Sequence, residues 1–201
     1  MKKLAYMLAI AVLLAPVLPA WGKEHGDHNL TQVMDFGRAQ VSLLDVIGSV
    51  EKASGGRVVG VEIEHQKKLL SSKNGPLMYE VESVIGGTMT TYFADATTGK
   101  IIKQKKNWCA ALDFDAPWKS ADFAQVKVSM AQAVADAEKA TSGKAMSAKL
   151  RVRHGVLFYN ISTVTDGNVK VVLIDPDNGK IYQAPQSLHT KCGHKYELGM
   201  G

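Results

Sequence analysis

One stretch of this chain occurs twice. Sliding the sequence against itself by 87 positions sets residues 41–53, VSLLDVIGSVEKA, over residues 128–140, VSMAQAVADAEKA, without a gap. Val41/Val128, Ser42/Ser129, Glu51/Glu138, Lys52/Lys139, Ala53/Ala140 and, just beyond, Gly56/Gly143 are identical. A duplication constrains the fold more than composition does, because both copies must suit one local topology. A unit this small also buries little core alone and needs its neighbour. Each copy opens on a serine, followed three residues later by Asp45 or Gln132. Ser-x-x-Gln is a capping box and Ser-x-x-Asp a shorter-armed relative, so each serine should satisfy free N–H groups of a first helical turn. Leu43, Val46, Ile47 and Val50 then recur at helical spacing, as do Met130, Ala133, Val134 and Ala137 with smaller side chains. Both segments are expected to be amphipathic helices ended by Gly56 and Gly143.

The second half of each copy aligns at a shift of 80, so the first copy carries about seven extra residues near 66–76. Tyr79 falls on Tyr159, Gly87 on Gly167, Asp95 on Asp175, and Gly99-Lys100-Ile101 on Gly179-Lys180-Ile181. Between these landmarks the apolar residues alternate. Val59, Val61 and Ile63 oppose Glu62 and Glu64, and Met146, Ala148, Leu150 and Val152 oppose Ser147, Lys149, Arg151 and Arg153. Tyr159, Ile161, Val169, Val171 and Leu173 continue the period of two expected of strands. Gly86-Gly87, His154-Gly155, Asp166-Gly167, Thr98-Gly99 and Asn178-Gly179 supply turns. The fold class is therefore α+β: two tandem modules, each one helix packed on a three- to four-stranded antiparallel sheet.

A helix ending in Glu-Lys-Ala-x-x-Gly, a strand with Tyr-x-Val and an Asp-x-x-x-Gly-Lys-Ile turn together resemble the PepSY domain. That family occurs in propeptides of thermolysin-like metalloproteases and in many bacterial exported or membrane proteins. The landmarks are Tyr79, Asp95, Gly99 and Lys100 in the first copy, and Tyr159, Asp175, Gly179 and Lys180 in the second. The resemblance implies a protein partner, a peptidase or another envelope protein that the chain restrains or modulates. The alanine-rich helix and Arg151-Val152-Arg153 strand of the second copy depart from the family pattern.

Residues 1–22 have the parts of a secretory signal: Lys2 and Lys3, an uncharged apolar run, and small residues at Ala20 and Gly22. Pro16 and Pro19 interrupt a stretch already short for a span, so no membrane span is expected after cleavage, a retained anchor being the alternative. The organisation then reads as a polar leader at 23–40, module one at 41–106, an aromatic linker at 107–127, module two at 128–186 and a tail at 187–201. Trp108, Phe114, Trp118 and Phe123 make that linker too apolar to float free. The net charge of +5 falls to +3 without Lys2 and Lys3, and its even spread gives no argument for nucleic acid. The two cysteines of a periplasmic or secreted chain, Cys109 and Cys192, are expected to form one disulfide closing 82 intervening residues.

Metal-ligand types gather at both ends of the mature chain, His25 and His28 in the leader, His189 and His194 beside Cys192 in the tail. The leader lacks a scaffold to fix their geometry, and export favours a disulfide for the sulfurs, so no cofactor is expected and the metal site stays the lesser alternative. Asp175-Pro176-Asp177-Asn178-Gly179 has its glycine one place early for a calcium loop and reads as a turn. Gly-x-Ser-x-Gly, His-Glu-x-x-His, phosphate-loop and dinucleotide patterns are all missing from the sequence. The expected function is an exported, non-enzymatic binding protein. A periplasmic metal- or small-ligand-binding protein using the histidine clusters and a structural envelope component are the alternatives.

Overall fold

The computed structural model describes residues 30–65, 75–107 and 116–183. The expected signal, Trp108, Phe114, both cysteines and all four of His25, His28, His189 and His194 lie outside the described residues. The elements run α1 (Leu30–Phe36), α2 (Leu43–Ser54), β1 (Arg57–His65), β2 (Leu77–Ile85), β3 (Thr88–Asp95) and β4 (Ile101–Lys106). Short 3₁₀ turns at Pro117–Lys119 and Ala121–Gln125 lead to α3 (Met130–Thr141), β5 (Lys144–Arg153), β6 (Val156–Thr165), β7 (Asn168–Ile174) and β8 (Ile181–Gln183).

Both repeat helices start as their serines dictate. Ser42 Oγ accepts the Asp45 N–H at 3.2 Å and Ser129 Oγ accepts the Gln132 N–H at 3.1 Å. They stop one residue earlier than Gly56 and Gly143. The left-handed caps are Gly55 (φ +66°) and Ser142 (φ +54°), whose N–H groups return to Glu51 O and Glu138 O. The repeated glycines serve close approach: a Cβ on Gly56 would lie 2.8 Å from Val84 O, and one on Gly143 2.8 Å from Val164 O. Leu43, Val46, Ile47 and Val50 of α2 are buried, as are Met130, Ala133, Val134 and Ala137 of α3.

The expectation of two separate small sheets is corrected by the pairing. All eight strands form one antiparallel sheet in the order β4-β3-β2-β1-β5-β6-β7-β8. The first strand of each module pairs with the first strand of the other: Gly60 with Lys149, Val61 with Ala148, Glu62 with Ser147. Val61 and Ala148 are equivalent in the repeat, and the flanking pairs exchange under the same equivalence. A pseudo-two-fold axis therefore passes through the Val61–Ala148 pair. The physical reason is that a four-stranded sheet leaves β1 as an edge with unpaired backbone groups, and the second copy offers an equal edge that satisfies them. Register shifts at Val58/Gly60 and at Ala145/Ser147 fall at equivalent positions, so even the bulges are duplicated.

α2 and α3 lie on one face, packed on each other and on β1 and β5. Their apolar stripes meet Val61, Ile63, Tyr79 and Val81 from one module and Ala148, Leu150, Tyr159 and Ile161 from the other in one continuous core. The later half of the leader joins it: Val33, Phe36 and Ala39 pack against the core, and the nearly buried Asp35 pairs with His65 at 3.0 Å. Trp118 and Phe123 of the linker do the same. Arg57, opening β1, donates to Phe123 O at 3.2 Å and Val126 O at 2.9 Å, and its guanidinium lies 5.4 Å from the Phe123 ring centre. Among the described residues no helix is long and apolar enough to cross a membrane.

Candidate functional site

The landmark residues gather at two equivalent places, and at each they hold the start of a helix. In module one Asp95 Oδ1 accepts the N–H groups of Thr97 (3.0 Å) and Thr98 (2.8 Å) and the Thr98 hydroxyl (2.9 Å). These donors, that of the Thr98 backbone foremost, hold its carboxyl below the usual carboxylate range. The Asp95 N–H reaches Lys100 O at 2.9 Å, and the Gly99 N–H reaches Asp95 O at 2.8 Å. Gly99 has φ +70°, and a Cβ there would sit 3.2 Å from Val41 Cγ1. The turn thus presents Ala96 O, which accepts the N–H groups of Gln40 (2.9 Å) and Val41 (3.3 Å). Tyr79 completes the grip by donating its hydroxyl to Val41 O at 2.7 Å. Val41 immediately precedes the cap Ser42, so its backbone is clamped from both sides before α2 begins.

Module two repeats the clamp with different turn chemistry. Asp175 Oδ1 accepts the Asp177 N–H at 2.8 Å, Asp175 Oδ2 accepts the Asn178 amide at 3.0 Å, and Asn178 Oδ1 accepts the Lys180 N–H at 2.8 Å. Pro176 O receives the N–H groups of Lys127 (3.1 Å) and Val128 (2.9 Å), and the Tyr159 hydroxyl donates to Val128 O at 2.7 Å. Burial pushes both tyrosine hydroxyls up to about 12, so each stays a neutral donor at ordinary pH. The Asp175 carboxylate is committed to shaping its own turn. Lys100 and Lys180 are exposed, and the Lys180 ammonium stands 5.0 Å from the Tyr182 ring centre. The eight landmarks therefore form scaffold joints and do not converge on one cleft.

Chemistry directed outward lies on the sheet face opposite α2 and α3. Strand alternation places Glu62 and Glu64 of β1 and Glu80 and Glu82 of β2 there. Glu62 faces Glu80 directly across the β1–β2 ladder. Glu82 stands opposite Gly60, where a Cβ would lie 2.7 Å from Glu82 Oε2, so its carboxylate reaches across the strand. Desolvation first, then neighbouring carboxylates, raises Glu80 above the usual range; desolvation, opposed by Lys149, raises Glu82. On the other side of the seam the same face carries Lys149, Arg151 and Arg153 of β5. Glu62 Oε1 and Lys149 Nζ meet at 2.7 Å and bridge the modules. Beside the cations lie Phe158, Val171, Leu173 and the exposed Tyr182, placed on this face by register. On module one's side of the seam the two nearest strands, β1 and β2, are acidic on this face. On module two's side β5 is basic, with apolar side chains on the strands beyond it.

Among the described residues β4 is an outer strand of the sheet, and each of Ile102, Lys103, Gln104, Lys105 and Lys106 is exposed. Lys103 and Lys105 are paired in register with Phe93 and Thr91 and share the open face, and the Lys103 ammonium leans over the Phe93 ring at 5.7 Å. The alternation of Glu62 and Glu64 with Lys149, Arg151 and Arg153 was visible in the sequence. Their assembly on either side of one seam needed the β1–β5 pairing, which no local pattern announces.

The family model described as "Peptidase propeptide and YPEB domain" (PepSY) matches residues 48–105 and again 127–181. No curated protein matches the chain. A solved structure from Clostridium difficile 630, described as a putative lipoprotein (CD1622), is 22% identical over 72% of this chain and 92% of that one, with a TM-score of 0.39. That superposition is too loose to carry an inference.

Proposed function

The chain belongs to the PepSY family, and from that premise we propose that it is an exported, non-enzymatic binding protein that restrains or modulates a peptidase or another envelope protein by pairing its β4 edge with an extended segment of the partner. The observation that carries this reading is the exposed outer strand with three cations, Lys103, Lys105 and Lys106. Lysines on an edge commonly prevent association, and here they prevent it selectively. A second β4 would set lysine against lysine, whereas a strand with acidic residues two apart would place a carboxylate beside both Lys103 and Lys105. The backbone ladder supplies affinity without regard to sequence, and the charges select the partner. The family landmarks sit in helix-start clamps, which leaves the β4 edge free of a scaffold role.

The test uses extended peptides of Glu-x-Glu and Lys-x-Lys type, titrated by fluorescence anisotropy, alongside hydrolysis assays with proteases of the same envelope. The acidic peptide should bind, and the K103E/K105E variant should bind it roughly 5- to 30-fold more weakly, from two reversed cross-strand pairs at about 0.5–1 kcal/mol each. The same variant should lose any slowing of proteolysis. Equal binding of the two peptides, together with proteases unaffected by the wild-type chain, would sink the proposal.

A further inference from the structure

The two ends of the sheet share a backbone and differ in chemistry. At one end β2 turns into β3 and β5 turns into β6. Gly60 pairs with Glu82 on one side and with Lys149 on the other, and Lys149 pairs with Asn160. From that row Ile85 lies three residues along β2, and Val156 four along β6. The two side chains are thus level to within one residue, one strand out from the seam on either side and roughly 14 Å apart. Ile85 is 55% exposed and Val156 65%, each beside a turn, Gly86-Gly87 or His154-Gly155. Around them Lys106, Lys127, Arg153 and Lys180 are exposed, Lys127 being held at this end by its N–H bond to Pro176 O at 3.1 Å. The exposed acids here are Asp122 and Asp177. In the repeat Ile85-Gly86 falls on Thr165-Asp166, which the pseudo-two-fold axis carries to the opposite end. That end has a polar hairpin tip, and its charges are mixed, Lys139 and Lys170 with Asp45 and Asp166.

Two apolar tips set among cations fit the interface of an anionic bilayer, where phosphates meet the ammonium and guanidinium groups and the tips reach the acyl boundary. We infer that the chain docks peripherally on an anionic lipid surface by this end, with its strands upright on the membrane. Nucleic acid would satisfy the cations and give Ile85 and Val156 nothing to bury in. A protein interface needs a continuous apolar centre, and these tips are separate. A fluid bilayer takes in separate tips without a matching shape. Each cation near such a surface is worth roughly fivefold in affinity, and burying the exposed part of each tip roughly fivefold more. In this pose β4 stands along the side of the molecule, so its edge is still open to the partner segment proposed above.

The experiment is co-sedimentation of the full mature chain with vesicles of equal parts phosphatidylglycerol and phosphatidylcholine, and with vesicles of phosphatidylcholine alone. The wild type should pellet with the anionic vesicles only, and added salt should release it. K127E/R153E should bind at least about 25-fold more weakly. I85S/V156S should bind about 25-fold more weakly at an unchanged net charge. K139E/K170E alters the net charge as much as K127E/R153E does, but at the opposite end, and should bind as the wild type does. All of these positions are exposed, and a circular dichroism melt checks that each variant is folded. A wild type that stays in the supernatant overturns the inference, whether its tips are covered by another part of the chain or indifferent to lipid. So does equal binding to both kinds of vesicle, a loss in K139E/K170E that matches K127E/R153E, or an I85S/V156S variant that binds like the wild type.

Discussion

Replacing Tyr79 or Tyr159 by phenylalanine removes one oxygen and leaves the ring in place. Each hydroxyl donates at 2.7 Å to the carbonyl of the residue before a helix cap, Val41 or Val128. Both rings are essentially buried, so phenylalanine opens no cavity and the loss is the hydrogen bond itself, about 1 kcal/mol. For a domain of this size that is about 2–4 °C in Tm. The two sites are separated by three strand spacings, roughly 14 Å. At that distance the losses should add, giving about 2 kcal/mol in the double variant with an interaction term under about 0.5 kcal/mol. Urea denaturation followed by circular dichroism should show a lower midpoint at an unchanged slope. The effect should be level with pH up to the ordinary tyrosine range. Because the folded hydroxyls are raised to about 12, their contribution is present below that range and is lost as pH rises towards the folded value, so the deficit of the variants should shrink there. Phenylalanine variants of wild-type stability that had lost partner binding would refute the reasoning, since the hydroxyls would then be serving a ligand and not a clamp.

His65 supplies a second test, because its Nδ1 faces Gly75 O at 2.9 Å and its Nε2 faces Asp35 Oδ2 at 3.0 Å. Only the imidazolium has two N–H groups for two acceptors, and the Gly75 carbonyl, then Asp35, raises its pKa against burial and Arg38. That clasp is complete below the ordinary histidine range and lost as pH rises through the raised value, so amide protection of α1, corrected for intrinsic exchange, should fall from pH 5 to 8. His65→Leu should flatten the profile, and an unchanged profile in that variant would remove the clasp. Ser142 caps α3 at φ +54° where Gly55 caps α2, so Ser142→Gly should stabilise the chain by about 0.5–1 kcal/mol and Gly55→Ala should destabilise it by about as much. A destabilised Ser142→Gly protein in thermal melts would contradict the cap assignment.

Local physics made half of the structure readable. Ser42 and Ser129 announce helix starts because a cap needs only its own next turn, and the period of two announces strands because alternation is a property of one segment. Even the aspartate turns follow from short-range hydrogen bonding. Three things lay beyond such patterns. The cap shift from Gly56 and Gly143 arises because those glycines answer to Val84 O and Val164 O, which belong to other strands. The docking of α1 lay outside the leader's own pattern, since its Asp35 finds its partner at the far end of β1. The joining of two sheets into one depends on a pairing between residues that only the duplication brings together. The charged face is legible last, because a charge pattern has no meaning until register assigns it a face.

The seam itself explains why the copies had to diverge. Glu62 and Lys149 are equivalent positions of the repeat, related by the pseudo-two-fold axis through Val61 and Ala148. In a dimer of identical modules those two positions would carry the same residue, and either choice would set like charges together across the axis. Here they carry opposite charges and meet at 2.7 Å. That match is open only to a chain in which both halves are encoded separately. The same freedom let β1 carry Glu62 and Glu64 where β5 carries Lys149 and Arg151, which two identical modules could not do. Symmetry within the chain is kept by the backbone register and the duplicated bulges, and given up at the side chains of the seam.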